Sequence, residues 1–174
     1  MALSVDVIKE LRRITSASIA ECQKALTETN GDIEKAQELL RKRGLEIAAK
    51  KIGKAAKDGR VEAYVHMGNK IGVLVEINSE TDFVARNNEF IQFTKDVAMQ
   101  ITACSPAYVK REDVPAEVIE KENDKDKFYK EHCLLEQPFI KDPGMTMKDY
   151  LGNLVGKMGE NIVIRRFSRF QLGE

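Results

Sequence analysis

Two adjacent residues of different chemistry, Asp82 and Phe83, stand where the sequence pattern changes from strand to helix. Binding residues are often found on short loops that regular structure supports on both sides. An acid beside an aromatic ring at such a corner suits recognition of another molecule. The residues alone also allow a plainer interpretation, in which Phe83 folds inward to cap the core and Asp82 only starts a helix.

The two flanking segments have clear periodicities. The upstream segment alternates with the period of a half-buried strand, and the downstream segment repeats at helical steps of three and four. Asn87 or Asn88 can cap the predicted helix, and Glu89 falls in its first turn. The inward-facing positions are Ile71, Val73, Val75 and Ile77 in the strand, and Phe90, Phe93 or Thr94, Val97, Ile101 and Cys104 in the helix.

Residues 76–87 read Glu-Ile-Asn-Ser-Glu-Thr-Asp-Phe-Val-Ala-Arg-Asn. This stretch resembles the signature of the bacterial elongation factor Ts family, the nucleotide exchange factors for elongation factor Tu. The resemblance implies that the partner is elongation factor Tu with bound GDP. It also implies that Phe83 inserts between helices of the partner's nucleotide domain while Asp82 disturbs its magnesium, so that GDP leaves. The partner-binding residues implied in this way are Thr81, Asp82, Phe83, Val84 and Ala85.

The first 52 residues predict a small bundle of three helices. Ser4 can cap the first helix, Ser18 and Glu21 form a capping-box pattern, and Asp32 can cap the third helix. We expect Gly44 to end or break that third helix. Residues 24–44 resemble the amino-terminal module of the same family, which is similar to ubiquitin-associated domains.

The remaining chain predicts a three-stranded antiparallel sheet with helices packed on one side, so the fold class is α+β. Gly68-Asn69 suits a tight two-residue hairpin between the first two strands. The third strand covers 161–170, with a possible bulge near Arg165 and Arg166. A helix is expected from Ala116 onward, and another is capped by Thr146 and Asp149. The predicted domains are 1–52, a linker at 53–59, and a core at 60–174.

The chain departs from the family pattern in two places. The turn Thr15-Ser16-Ala17-Ser18 lacks the glycine that the family usually has there. Family members also commonly carry a longer helical excursion where this chain has only residues 120–130. The chain contains one copy of the sheet-and-helix unit where long family members have two. By resemblance to short members, we expect a homodimer that supplies both copies.

Bulk composition excludes several function classes. Lys and Arg number 28, as do Asp and Glu, so no global field attracts nucleic acid and we expect no direct nucleic-acid partner. The chain has no apolar run of about 20 residues and no signal-peptide pattern at its start, which predicts no membrane association. We expect a cytoplasmic location, or an organelle matrix if the chain is processed.

Chemical catalysis also lacks support in the sequence. We find no nucleophile near a base, no glycine-rich phosphate loop and no metal-ligand spacing, so we expect no enzyme and no cofactor. Cys22 and Cys104 fall on apolar helix faces, which predicts that they are core residues. The sequence does not assign a role to Cys133. The alternative function is a ubiquitin-associated-like interaction protein that acts through its helical bundle without exchanging nucleotide.

Overall fold

The computed structural model describes residues 4–15, 17–51 and 53–174. The chain divides into two compact units, one formed by residues 1–54 with 151–161 and the other by 55–150 with 162–174. Three sequence-based predictions fall partly on undescribed residues: the start of the chain, Ser16 in the glycine-free turn, and the domain boundary at residue 52. The mixture of helices and one antiparallel three-stranded sheet confirms the predicted α+β class.

The first unit contains the predicted three helices, α1 (Val5–Thr15), α2 (Ile19–Glu28) and α3 (Ile33–Lys51). The Ser18 hydroxyl accepts from the backbone N–H of Glu21, whose carboxylate accepts from the backbone N–H of Ser18, so the predicted capping box is confirmed. Asp32 caps α3 by accepting from the N–H of Lys35. The buried side chains of this bundle are Leu11, Cys22, Ala25, Leu26, Ala36 and Leu40.

The prediction that Gly44 ends or breaks the third helix is wrong, because α3 continues through it to Lys51. Gly44 is buried, and a Cβ there would lie 3.3 Å from the backbone oxygen of Gly152 and 3.1 Å from Oδ1 of Asn153. A side chain would not fit without displacing this neighbouring backbone. The glycine therefore permits close packing inside a helix, which outweighs its poor helix propensity.

The remaining elements include the predicted sheet and several helices. A short 3-10 turn at Leu134–Glu136 precedes a two-stranded sheet that the sequence analysis did not predict. In chain order the elements are β1 (Asp58–Val65), β2 (Ile71–Ser79), α4 (Asp82–Ala85), α5 (Asn88–Cys104), α6 (Ala116–Ile119), α7 (Lys125–His132), β3 (Pro138–Phe139), β4 (Asp142–Thr146), α8 (Met147–Met158) and β5 (Val163–Gln171).

The three-stranded sheet has the order β1-β2-β5, with both pairs antiparallel. One face of the central strand is buried, as its alternation predicted, and α5 packs against β1 and β2. The register of β2 with β5 shifts between Glu76 and Ile77, which confirms the predicted bulge near Arg165. The buried side chains on this side are Val73, Val75, Ile77, Phe90, Phe93, Val97, Ile101 and Ile164.

The opposite face of the sheet carries exposed apolar side chains next to the charged pair of Glu76 and Arg166. Val61 and Val65 of β1 are 65% and 62% exposed, and Leu74 of β2 is 48% exposed. Phe170 of β5 lies on the same face, because Phe170 pairs with Gly72, two residues before Leu74. An apolar face of this kind is unusual for a protein that stays monomeric.

The predicted two-residue hairpin between β1 and β2 is wrong in length. The connection is a four-residue loop, because the N–H of His66 donates to the oxygen of Ile71 at 2.9 Å. The helix predicted from Ala116 onward is confirmed, and it covers Ala116–Ile119. Thr146 and Asp149 do cap α8 as predicted, through reciprocal bonds of 2.9 to 3.1 Å. Within the described residues, no helix is long and apolar enough to cross a bilayer.

Gly59 should be the least replaceable glycine of the sheet. Its φ is +140°, and a Cβ would overlap the carbonyl oxygen of Ile77 and lie 2.6 Å from Cα of Asn78. We expect Gly59→Ala to lower the free energy of unfolding by about 3 kcal/mol or more, because backbone strain and steric overlap add. Urea denaturation measures this.

Gly68→Ala is the matched control, because Gly68 also has a positive φ, +88°, but nothing lies within 4 Å of its Cβ position. Strain alone should cost about 1 kcal/mol there. Equal losses in the two variants would contradict the close approach at Gly59.

Candidate functional site

The five residues singled out by the sequence form one helical turn between a strand and a helix. β2 ends at Ser79, Thr81 is the extended residue that precedes α4, and α4 covers Asp82–Ala85. Asn87 then caps α5, its side chain accepting from the N–H of Glu89 at 2.8 Å. The corner is thus a short helix with regular structure on both sides, as expected for a supported binding element.

The side chains of α4 point in two directions. The ring of Phe83 is 81% exposed, whereas Val84 and Ala85 are buried. The interpretation in which Phe83 folds inward to cap the core is therefore wrong. Val84 and Ala85 fill that position instead, and they leave the aromatic ring in solvent.

Asp82 carries its own counter-ion. Its carboxylate lies 2.8 Å from Nη2 of Arg86, one helical turn later, and both side chains are mostly exposed. Exposed pairs of this kind contribute about 0 to 1 kcal/mol. The carboxylate can therefore exchange Arg86 for another cation at little cost.

Polar residues at the end of β2 tie the corner to the sheet. The hydroxyl of Ser79, which is fully buried, donates to the carbonyl oxygen of Thr81 at 2.8 Å. The amide of Asn78 donates to the carbonyl oxygen of Asp58 at the start of β1, at 3.1 Å. The sequence analysis missed both roles, although a serine two residues before a turn is a recognised signal for such a bond.

Glu76 begins the same motif and is held by the neighbouring strand. Nε of Arg166 donates to its carboxylate at 2.8 Å, and Nε of Arg165 lies 3.7 Å from the other oxygen. The hydrogen bond from Arg166 lowers the pKa of Glu76 below its usual value, and a further hydrogen bond with Asn78 acts in the same direction. Glu76 therefore stays ionised and links β2 to β5 beside the corner.

The thiols offer no reactive site. Cys22 and Cys133 are fully buried, and Cys104 is partly buried. Burial raises the pKa of Cys133 to about 11, so it is protonated at neutral pH and a poor nucleophile. Among the described residues, no group of histidine, cysteine and acidic side chains is placed to hold a metal ion.

In the charged segment that follows α5, one arginine contacts three other residues. The guanidinium of Arg111 donates to Glu136 at 2.7 Å and to Asp126 at 3.2 Å, and it lies 4.7 Å from the ring centre of Tyr129. The hydrogen bond from Arg111 lowers the pKa of Glu136. Asp124 caps α7 by accepting from the N–H of Lys127. The segment is a compact, solvated structure.

The chain is similar to known proteins over almost its whole length. The family model described as Elongation factor TS matches residues 1–125 and 124–174. The chain belongs to the elongation factor Ts family. Membership of this family makes it an elongation factor of protein biosynthesis.

Several elongation factors Ts are similar over nearly their full length. The protein of Carboxydothermus hydrogenoformans is 53% identical over 195 positions, covering 99% of this chain and 90% of the relative. That of Caldanaerobacter subterraneus subsp. tengcongensis is 50% identical, with 99% and 98% covered. That of Geobacter sulfurreducens is 49% identical over 197 positions, with 100% and 91% covered.

The comparisons also bear on the missing excursion. The alignment with the Carboxydothermus elongation factor Ts spans 195 positions, 21 more than the 174 residues of this chain, so that relative has residues this chain lacks. The two stretches matched by the family model meet at residues 124 and 125, inside the segment 120–130. In this chain Asp124 is the cap of α7.

The exposure of Phe83 predicts that its removal leaves the fold intact. Phe83→Ala should change the free energy of unfolding by no more than about 0.5 kcal/mol, as for other exposed positions. Phe90→Ala is the matched control, because Phe90 is the same residue type and fully buried in α5. It should cost about 3 to 5 kcal/mol. A large loss from Phe83→Ala in thermal or urea unfolding would mean that the ring packs inside its own chain.

Proposed function

We propose that the chain is a guanine nucleotide exchange factor for elongation factor Tu and that it performs no covalent chemistry. It binds elongation factor Tu carrying GDP and promotes release of the nucleotide in the cytoplasm. The observation that supports this most directly is the exposed ring of Phe83 next to the exposed carboxylate of Asp82, on a helix whose other side is buried.

The proposed contact begins with the aromatic ring. Phe83 enters an apolar slot between helices of the partner's nucleotide domain, and Thr81 lies at the rim. Burial of one aromatic side chain stabilises a contact by roughly 1.5 to 3 kcal/mol, or about 10- to 150-fold in an equilibrium. Val84 and Ala85 support the contact indirectly, because their buried side chains hold α4 in place.

The second step in the proposal is electrostatic. Asp82 disturbs the site that holds the partner's magnesium ion, and loss of this cation leaves the diphosphate charge poorly neutralised. GDP then dissociates and GTP can replace it. The coupling is reciprocal, so bound nucleotide must weaken the factor by the same free energy.

The ring alone accounts for only part of a large acceleration. The helical bundle of residues 1–52 and a second protomer should supply further contacts. We propose that two chains associate through the exposed apolar face of the three-stranded sheet. An interface between two equivalent copies uses the same patch on each, so an apolar patch can pack on itself about a two-fold axis. The residues of this face are Val61, Ala63, Val65, Leu74 and Phe170.

Release of a fluorescent GDP analogue from elongation factor Tu tests the exchange function. Wild-type chain should accelerate release, and Phe83→Ala should slow it at least tenfold, because the burial of the ring is lost. Ile140→Ala removes an apolar side chain that is partly exposed and lies outside the corner, so it should leave release unchanged. Wild-type rates from Phe83→Ala would refute the insertion of the ring. No acceleration by the wild-type chain would favour the alternative of a bundle that only binds.

The mass in solution tests the dimer. Leu74 pairs with Ala63 on one side and Ser168 on the other, at the middle of the apolar face. Leu74→Lys places a charge there, which should weaken association by about 3 kcal/mol or more, roughly 150-fold. Light scattering should show twice 19.6 kDa for the wild-type chain and 19.6 kDa for the variant. Ile140→Lys should remain dimeric, and dissociation of both variants alike would argue against this face.

A further inference from the structure

The helix that carries Asp82 and Phe83 is too short to hold itself together. α4 has four residues, and forming a first helical turn is unfavourable without outside support. On its carboxyl side, the N–H of Asn87 donates to the oxygen of Val84 at 2.9 Å. On its buried side, Val84 and Ala85 pack inward. The remaining boundary of α4 is the Thr81–Asp82 peptide, through which the chain enters the helix.

Ser79 holds that entering peptide. Its hydroxyl donates to the carbonyl oxygen of Thr81 at 2.8 Å, whereas the helical N–H that donates to the same oxygen, that of Ala85, lies at 3.4 Å. Ser79 is fully buried at the end of β2, a strand paired on both sides. The carbonyl of Thr81 belongs to the peptide bond that leads directly into Asp82, so its orientation sets the direction of the helix start.

We propose that Ser79 is a positioning residue for the contact made by Asp82 and Phe83. This inference rests on the proposed exchange function. Ser79 touches no partner, and it acts by keeping the Thr81–Asp82 peptide in the orientation that presents the ring and the carboxylate together. Without the bond, the peptide samples other orientations and the binding-competent fraction of the free chain falls. The apparent affinity for the partner then falls by the same factor as the binding-competent population.

Ser79→Ala removes the hydroxyl and nothing else. We expect about a fivefold loss in the rate of GDP release at a factor concentration below saturation. The rate at saturation should be restored, because the competent state still reacts normally. Circular dichroism should show an unchanged fold. Ser79→Cys replaces the hydroxyl with a slightly larger thiol that is a weaker donor, and it should fall between wild type and Ser79→Ala. Wild-type rates from both variants would overturn the proposal.

A double-mutant cycle separates positioning from a general loss of stability. If Ser79 acts through the ring, Ser79→Ala should change the release rate by less than twofold in the Phe83→Ala background. Equal fold losses in the two backgrounds would mean that Ser79 acts elsewhere, since independent effects multiply in rate. If Phe83→Ala alone exchanges at the wild-type rate, the proposed function fails first. If only Ser79→Ala is normal, this inference fails and the function stands.

Thr102→Val supplies the matched control. Thr102 is a buried hydroxyl in α5 that donates to the carbonyl oxygen of Ala98 at 2.8 Å, the same kind of bond at the same length. Its loss should lower stability to a similar degree and leave GDP release unchanged. A fivefold loss of exchange from Thr102→Val would show that any buried hydroxyl has this effect, and would overturn a special role for Ser79.

Discussion

The packing of β2 against α5 is the constraint on which the exposed corner depends. Val75 and Ile77 of the strand and Phe90 and Phe93 of the helix are buried on the same side of the sheet. The strand and the helix are therefore both immobilised, and only eight residues separate Ser79 from Asn88. A short segment held at both ends can expose an aromatic ring without collapsing onto the core. That exposure costs hydrophobic free energy in the free chain, which binding a partner would recover.

The two faces of the sheet differ in a way that strand alternation does not reveal. β1 directs Arg60 and Glu62 toward the helix side, where the carboxylate of Glu62 accepts from Arg60 and from the hydroxyl of Thr94. Its apolar residues Val61 and Val65 face solvent. Polar residues on the inner side are tolerated because they satisfy one another. The apolar outer side is then available for a second copy of the chain, as proposed above.

In the charged segment, where this chain lacks the longer excursion of its family, the contacts of one arginine hold the neighbouring elements together. Arg111 joins the turn before α6 to α7 and to Glu136, through two carboxylates and the ring of Tyr129. A guanidinium suits this role because it can donate in several directions and stack at the same time. Two acids of this segment have structural roles, since Asp126 pairs with Arg111 and Asp124 caps α7. Among the described residues, no group of acids is placed to hold a metal ion.

Local patterns in the sequence determined the helix caps at Ser18, Asp32, Asn87 and Thr146, because a cap depends on residues two or three positions away. The alternation of apolar residues also predicted the three strands and the bulge, although β2 and β5 pair across about 90 residues of chain. The motif at residues 76–87 also identified the corner. Only the tertiary structure decided that Gly44 stays helical, that Phe83 faces solvent and that Ser79 bonds to Thr81. The same residue types allow either outcome at these positions, and the choice depends on which distant backbone or side chain fills the space beside them.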